Sequence, residues 1–316
     1  MTRFHLHKEF PMLFIPLIFA GMASTASPDP RLLSLVPPGA QIVAGISAPA
    51  RQGQPDNFVL ITHNNTVDLK DFFALTGADG TRIIHQIVFV AIAVNQGPLS
   101  EHSLLVSGHF DQPRLFRSAT DGGAAVTSYR RIPVLEIQPF PRERDTFNDV
   151  RWLALLDSNV LVFGSIVSVR LELDRYLAHS QTDASLLRQL AHLRSKDETW
   201  SVLSAPLRNG EIYRALAALN PELAELARSG DTFEFGLHYG RGVEFEYDAT
   251  VASTEASRPG LDSHSQAPVE PASGASLIPV LNTAVDAHTL HNIIEVSMSR
   301  YKAWLAEISG ARFPVD

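Results

Sequence analysis

Between Thr232 and Val251 the chain reads TFEFGLHYGRGVEFEYDATV, and this stretch constrains the fold more than any other. Phe233, Phe235, Leu237 and Tyr239 alternate with polar residues, and Val243, Phe245 and Tyr247 do the same beyond Gly240-Arg241-Gly242. A period of two places alternate side chains on opposite faces, and the glycines mark the reversal between two strands. The stretch is therefore expected to be an antiparallel hairpin with one buried face. Such a face needs a second layer, so helices must be found elsewhere in the chain.

The rest of the sequence supplies both kinds of element. Gln41–Ser47, Ile84–Val94 and Ser103–Phe110 are short apolar, β-branched runs bounded by Pro, Gly or Asn, as buried strands are. Val126–Ile137 reads as one long strand, and Arg151–Gly164 as a hairpin about the polar turn Asp157-Ser158-Asn159. Asp68–Leu75, closed by Gly77, has helical spacing. Asp111 precedes a helix that stops near Gly122-Gly123. Ser168–Leu177 and Ala184–Arg194 carry apolar residues at three and four spacing, with charges on their other faces and Asp183 as an N-cap. Trp200–Ser204 is expected to be a strand, Glu211–Leu219 a helix, and Pro221 the first residue of another helix. Leu277–Val285 reads as partly helical, Thr289–Ser297 as a strand and Arg300–Ile308 as an amphipathic helix.

Taken in order, these elements predict an α+β fold of antiparallel sheets with helices on one face, arranged as two topologically similar units without periodic identity of residues. One continuous sheet is the alternative. The first unit, with its trailing helices, spans 27–197 and the second 198–316. The second is interrupted at 254–276 by a linker rich in Pro, Ser and Ala.

The N-terminus has a different character. Arg3 and Lys8 precede an apolar run from Phe10 to Met22, and Ser24-Thr25-Ala26 supplies small residues after it. This is the pattern of a Sec-type signal peptide over 1–26, and the run, about 13 residues long, is short of the roughly 20 a spanning helix needs. Cleavage after Ala26 leaves 290 of 316 residues; it removes Arg3, Lys8 and Glu9, taking the formal charge from −8 to −9. No later segment reads as a membrane span, so a periplasmic or secreted protein is expected, with retention of the N-terminal segment as an anchor the competing reading.

With no cysteine, the chain has no thiol nucleophile, disulfide framework, iron–sulfur cluster or cysteine zinc site. Its 26 Lys and Arg against 34 Asp and Glu argue against a polyanion-binding surface, so nucleic acid is not an expected partner. No Gly-rich nucleotide loop, H-E-x-x-H zinc helix, G-x-S-x-G elbow or S-x-x-K signature is present, and no cofactor is expected.

Leu33–Ile46 (LSLVPPGAQIVAGI), Asp71–Gly80 (DFFALTGADG), Gly108-His109-Phe110-Asp111, Tyr129–Glu136 (YRRIPVLE) and Trp152–Val169 together resemble an uncharacterised family of exported bacterial proteins of unknown function. The resemblance covers most of Leu32 to about Val251. The family pattern prefers Gly where this chain has Arg131. The resemblance implies export and a repeated α+β build and transfers no catalytic residue.

Two groups of residues are candidates for chemistry. His109 and Asp111, two apart at a strand end, are the catalytic candidates, with a helix cap at Asp111 as the plainer explanation. Glu244, Glu246 and Asp248 alternate along one strand of the late hairpin, on the side of Glu234 and His238 of its partner; these carboxylates are the metal candidates, for Ca²⁺ or a basic ligand. The plainer explanation there is a wet outer face. His288 and His291 are expected on opposite sides of a strand. The function expected is a non-catalytic binding or structural module of the periplasm or cell envelope, whose partner is another envelope protein or peptide; the alternative is a hydrolase using His and carboxylate chemistry.

Overall fold

A computed structural model describes residues 28–47, 84–92, 101–138, 150–191, 193, 199–203, 232–239, 242–250, 283–284, 289–297 and 299. The expected helices at 68–75, 211–219, from 221 and at 300–308, the linker at 254–276 and the signal segment lie outside these residues.

The chain begins with helix α1 (Pro30–Leu35), started by the Asp29 side chain, which accepts the Arg31 N–H. Strands β1 (Ala40–Ser47), β2 (Ile84–Ile92) and β3 (Glu101–Gly108) follow, then helix α2 (Gln112–Asp121), capped by Asp111. Next come β4 (Ala125–Tyr129), β5 (Ile132–Ile137), β6 (Arg151–Leu155), β7 (Val160–Ser165), α3 (Ile166–Leu177) and α4 (Ala184–Leu190). Strands β8 (Thr199–Leu203), β9 (Thr232–Tyr239), β10 (Gly242–Thr250), β11 (Thr283–Ala284) and β12 (Thr289–Ser297) complete the described elements.

All twelve strands join one sheet in the order β11-β12-β10-β9-β8-β1-β2-β3-β7-β6-β5-β4, and every neighbouring pair is antiparallel. The α+β class is therefore seen. The sheet is continuous because β1 pairs with β8, Val43 lying opposite Val202. Helices α1, α3 and α4 supply Leu32, Leu33, Val169, Leu173 and Leu186 to a core with Val43, Val88, Val90, Leu105, Val134, Val162 and Val202 of one sheet face. The opposite face is also covered across the central strands: Ile87, Phe89, Leu135, Leu153 and Leu161 are all buried. Strands buried on both sides carry continuous apolar runs, which explains why β2, IHQIVFVAI, shows no alternation.

Three local expectations need correction. Val126–Ile137 is two strands, because Arg130 and Arg131 adopt φ of 47° and 75° and fold the chain back on itself. Without Gly or Asn the turn left no compositional mark. The charges of α3 do not all face away from its core: Glu172 is fully buried. Thr283–Ala284, inside the stretch expected to be partly helical, is a short strand paired with β12. The Asp157 turn is as expected, its carboxylate accepting the N–H groups of Asn159 at 2.6 Å and Val160 at 2.9 Å. No helix among the described residues is long and apolar enough to cross a membrane.

Candidate functional site

Strands β9, β10 and β12 bring the expected carboxylates together. Glu234 lies opposite Asp248, Glu244 opposite His238, and Glu246 opposite Gly236. On the other flank of β10, Asp248 faces His291 and Glu244 faces Glu295. Partners across an antiparallel pair share a face, so these groups line one side of the sheet. Following the register inward, Glu234 pairs with Val202 and Val202 with Val43. The acidic row thus continues the same face that α1, α3 and α4 cover farther along the sheet.

It is not a wet outer face. Glu234, Glu246 and Asp248 are buried, at 2%, 3% and 6% exposure, while Glu244 is half-buried. Alternation along a strand fixes which side chains share a side, and it carries no information on what lies over that side. The His291 Nδ1 stands 2.9 Å from Asp248 Oδ1, and its Nε2 stands 3.7 Å from Glu246 Oε1. Since a carboxylate only accepts, the Nδ1–H donates to Asp248. Asp248 Oδ2 is enclosed without a hydrogen-bond partner. Among the described residues no three His, Asp or Glu groups converge as a cation site would require. The geometry is that of a hydrogen-bonded contact between strands, with His291 bridging toward Asp248 and Glu246. His291, expected to face away from His288, meets Asp248 through cross-strand register, which a single strand does not reveal.

His109 and Asp111 are placed differently. The β6–β7 turn holds the end of β3, where Asn159 O accepts the Gly108 N–H at 2.9 Å and Ser158 O accepts the Phe110 N–H at 2.8 Å. His109 Nδ1 sits 3.0 Å from Asn159 Oδ1 and its ring meets His85 edge-on at 4.8 Å. Asp111 accepts the Arg114 N–H at 3.1 Å and starts α2. Each side chain thus has its own partner, and neither is directed to the other by a hydrogen bond.

A third polar group had no sequence signal beyond serines in an apolar strand. Ser103 of β3 and Glu172 of α3 are both fully buried, and Ser103 Oγ donates to Glu172 Oε1. The other carboxyl oxygen, Oε2, has no hydrogen-bond partner. Burial raises the Glu172 acid well above the ordinary carboxylate range, opposed only in part by the Ser103 hydroxyl. Enclosure thus favours the protonated form of Glu172 over the carboxylate. Ser165, at the start of α3, donates to Glu101 and lies 3.0 Å from Ser168 Oγ.

No family model matches the chain, and no curated protein matches it. Among solved structures it is similar to crystal form I of TP0453, with a TM-score of 0.52 at 11% identity, over 90% of this chain and 99% of that one. At that identity the likeness is one of fold.

Proposed function

We propose that the chain is exported through its N-terminal signal segment and acts as a non-catalytic binding or structural module of the periplasm or cell envelope. The observation that carries the non-catalytic part is the engagement of Asp111 as the cap of α2, with His109 held against Asn159 rather than against that carboxylate. A general base needs its reach directed to a substrate proton, and a cap spends the carboxylate on the backbone instead. Export rests on the basic start, the short apolar run and the small residues ending at Ala26. Membership of the uncharacterised exported family rests on the Leu33–Ile46 and Trp152–Val169 strings.

The two-unit origin belongs to the same proposal. Outward from the β1–β8 pair the strands run β1, β2, β3, β7 on one side and β8, β9, β10, β12 on the other. The two innermost strands run into the echo Ile46-Ser47-Ala48-Pro49 and Leu203-Ser204-Ala205-Pro206. Both features support an ancestral unit used twice.

The test is fractionation of cells expressing the full chain, with N-terminal sequencing and crosslinking in the envelope fraction. A mature protein starting at Ser27 and crosslinked to a defined envelope component is expected. Recovery from the cytoplasm with Met1 intact would overturn export. Loss of a measured hydrolysis in Asp111→Asn, which keeps the cap, would overturn the non-catalytic reading.

A further inference from the structure

Among the described strands, β4 ends the sheet and pairs with β5 alone. Tyr129 and Ile132 flank the two-residue turn and form its closing pair. In such a hairpin the closing pair exchanges both hydrogen bonds, and bonded and non-bonded pairs then alternate. The N–H and C=O groups of Ser128 and Val126 consequently point away from β5. Pro133 stands opposite Ser128, where the ladder asks for no donor, in keeping with this assignment. Exposed edges are ordinarily blunted by lysine, proline, a bulge or a covering element. The sequence AVTSY carries neither lysine nor proline, its register is unbroken, and no described element pairs with its outer side.

Side chains point the same way. Val126 is the outermost member of a row that runs through Leu135, Leu153, Phe163, Leu104 and Phe89. The five inner residues are at most 5% exposed, whereas Val126 is 57% exposed. One more strand would extend the row and cover it. The sequence leading through β4 into its turn is cationic in an acidic chain: residues 112–131 hold four arginines against one aspartate, while the whole chain carries −8 and Glu136 stands opposite Ala125. Arg130 pairs with Asp174 at 3.1 Å, but Arg131 is exposed, makes no ion pair among the described residues, and is held at φ 75°, a conformation glycine adopts without strain.

We propose that β4 is a docking strand for an extended acidic peptide segment with apolar residues at alternate positions. Main-chain bonds to Val126 and Ser128 supply affinity, an apolar side chain covers Val126, and Arg131 selects negative charge. This deepens the binding-module reading and rests on it.

The test uses the full chain and a fluorescein-labelled heptapeptide of alternating valine and aspartate, followed by anisotropy. Two control peptides carry lysine in place of aspartate or N-methyl groups on alternate amides. The acidic peptide is expected to bind at least tenfold more tightly than either control. Ser128→Pro, which removes only an outward donor, and Val126→Lys should each weaken it about tenfold. Arg131→Gly should weaken it severalfold while leaving the fold intact, so a loss there is not unfolding. Equal binding of the N-methylated peptide, equal binding of the lysine peptide, no binding by the native chain, or a native dimer that Ser128→Pro splits would each overturn the proposal. If an envelope partner is crosslinked equally by the native chain and by Ser128→Pro, the β4 assignment falls and the binding-module reading stands.

Discussion

The indole of Trp200 lies across Gly45 at the β1–β8 pair, so that a Cβ on residue 45 would come within 2.2 Å of Trp200 Cε2. Trp200 is 2% exposed and belongs to the helix-covered core. The strand pair that makes the sheet continuous therefore depends on one residue with no side chain beside a tryptophan of that core.

Gly45→Ala is expected to destabilise the fold by about 1–3 kcal/mol, since the ring is rigid and enclosed and cannot step aside. Chemical denaturation of the two proteins measures it. An unchanged midpoint would mean that the β1–β8 contact tolerates a shift.

Arg131→Gly should raise stability by about 1 kcal/mol. The turn requires positive φ at both central residues, a conformation that strains an arginine and suits glycine. Arg130→Gly should gain less, because it also forfeits the Asp174 ion pair and the stacking of its guanidinium 5.5 Å above the Tyr129 ring. Thermal unfolding of both variants checks the order.

Glu172→Gln should flatten the dependence of stability on pH. The folded-state acid is raised above the ordinary glutamate value of 4.5, so above that pH the folded chain holds a proton that the unfolded chain releases. Stability then falls as pH rises, approaching a tenfold loss in the folding constant per pH unit until the raised value is reached. The glutamine variant has no such proton. It should match the native chain near pH 4 and exceed it at pH 8, as denaturation series at the two pH values would reveal.

His291→Ala should cost about 1–3 kcal/mol, because it removes the hydrogen-bond donor from the enclosed Asp248 side chain; the imidazole's own 30% exposure keeps the loss below that of a wholly buried pair. Adding Asp248→Asn should recover part of the loss. A double-mutant cycle by urea unfolding gives the coupling, and additive effects would contradict the hydrogen-bond assignment.

Asp111→Ala should lose about 1 kcal/mol through the α2 cap and Asp111→Asn almost nothing, since asparagine caps as well. Thermal unfolding distinguishes a capping role from none.

Much of this architecture was legible one element at a time. The hairpin at 232–251, the Asp157 turn, the caps at Asp111 and Asp183 and the apolar stripe Val169–Leu173 all follow from local period and local hydrogen bonding. The turn at Arg130-Arg131 was illegible because its backbone is held by tertiary packing and pairing against the residues' own preference. Glu172 looked like an outward charge for a related reason: helical period places it beside Leu173, and only the position of Ser103 on a strand far away in sequence makes that flank an interior.

By itself, the sequence determined an antiparallel α+β chain free of cysteine, because period, turn residues and composition act over a few neighbours. It also placed Glu234, Glu244, Glu246 and Asp248 on one face, because alternation within a hairpin is local. Only the tertiary structure decided that the described strands form one sheet through β1 and β8, that three of those carboxylates are enclosed with His291, and that no described strand pairs with the outer side of β4. Those outcomes depend on which distant strands pair and what covers each face, and pairing between distant segments leaves no mark in the period of either one.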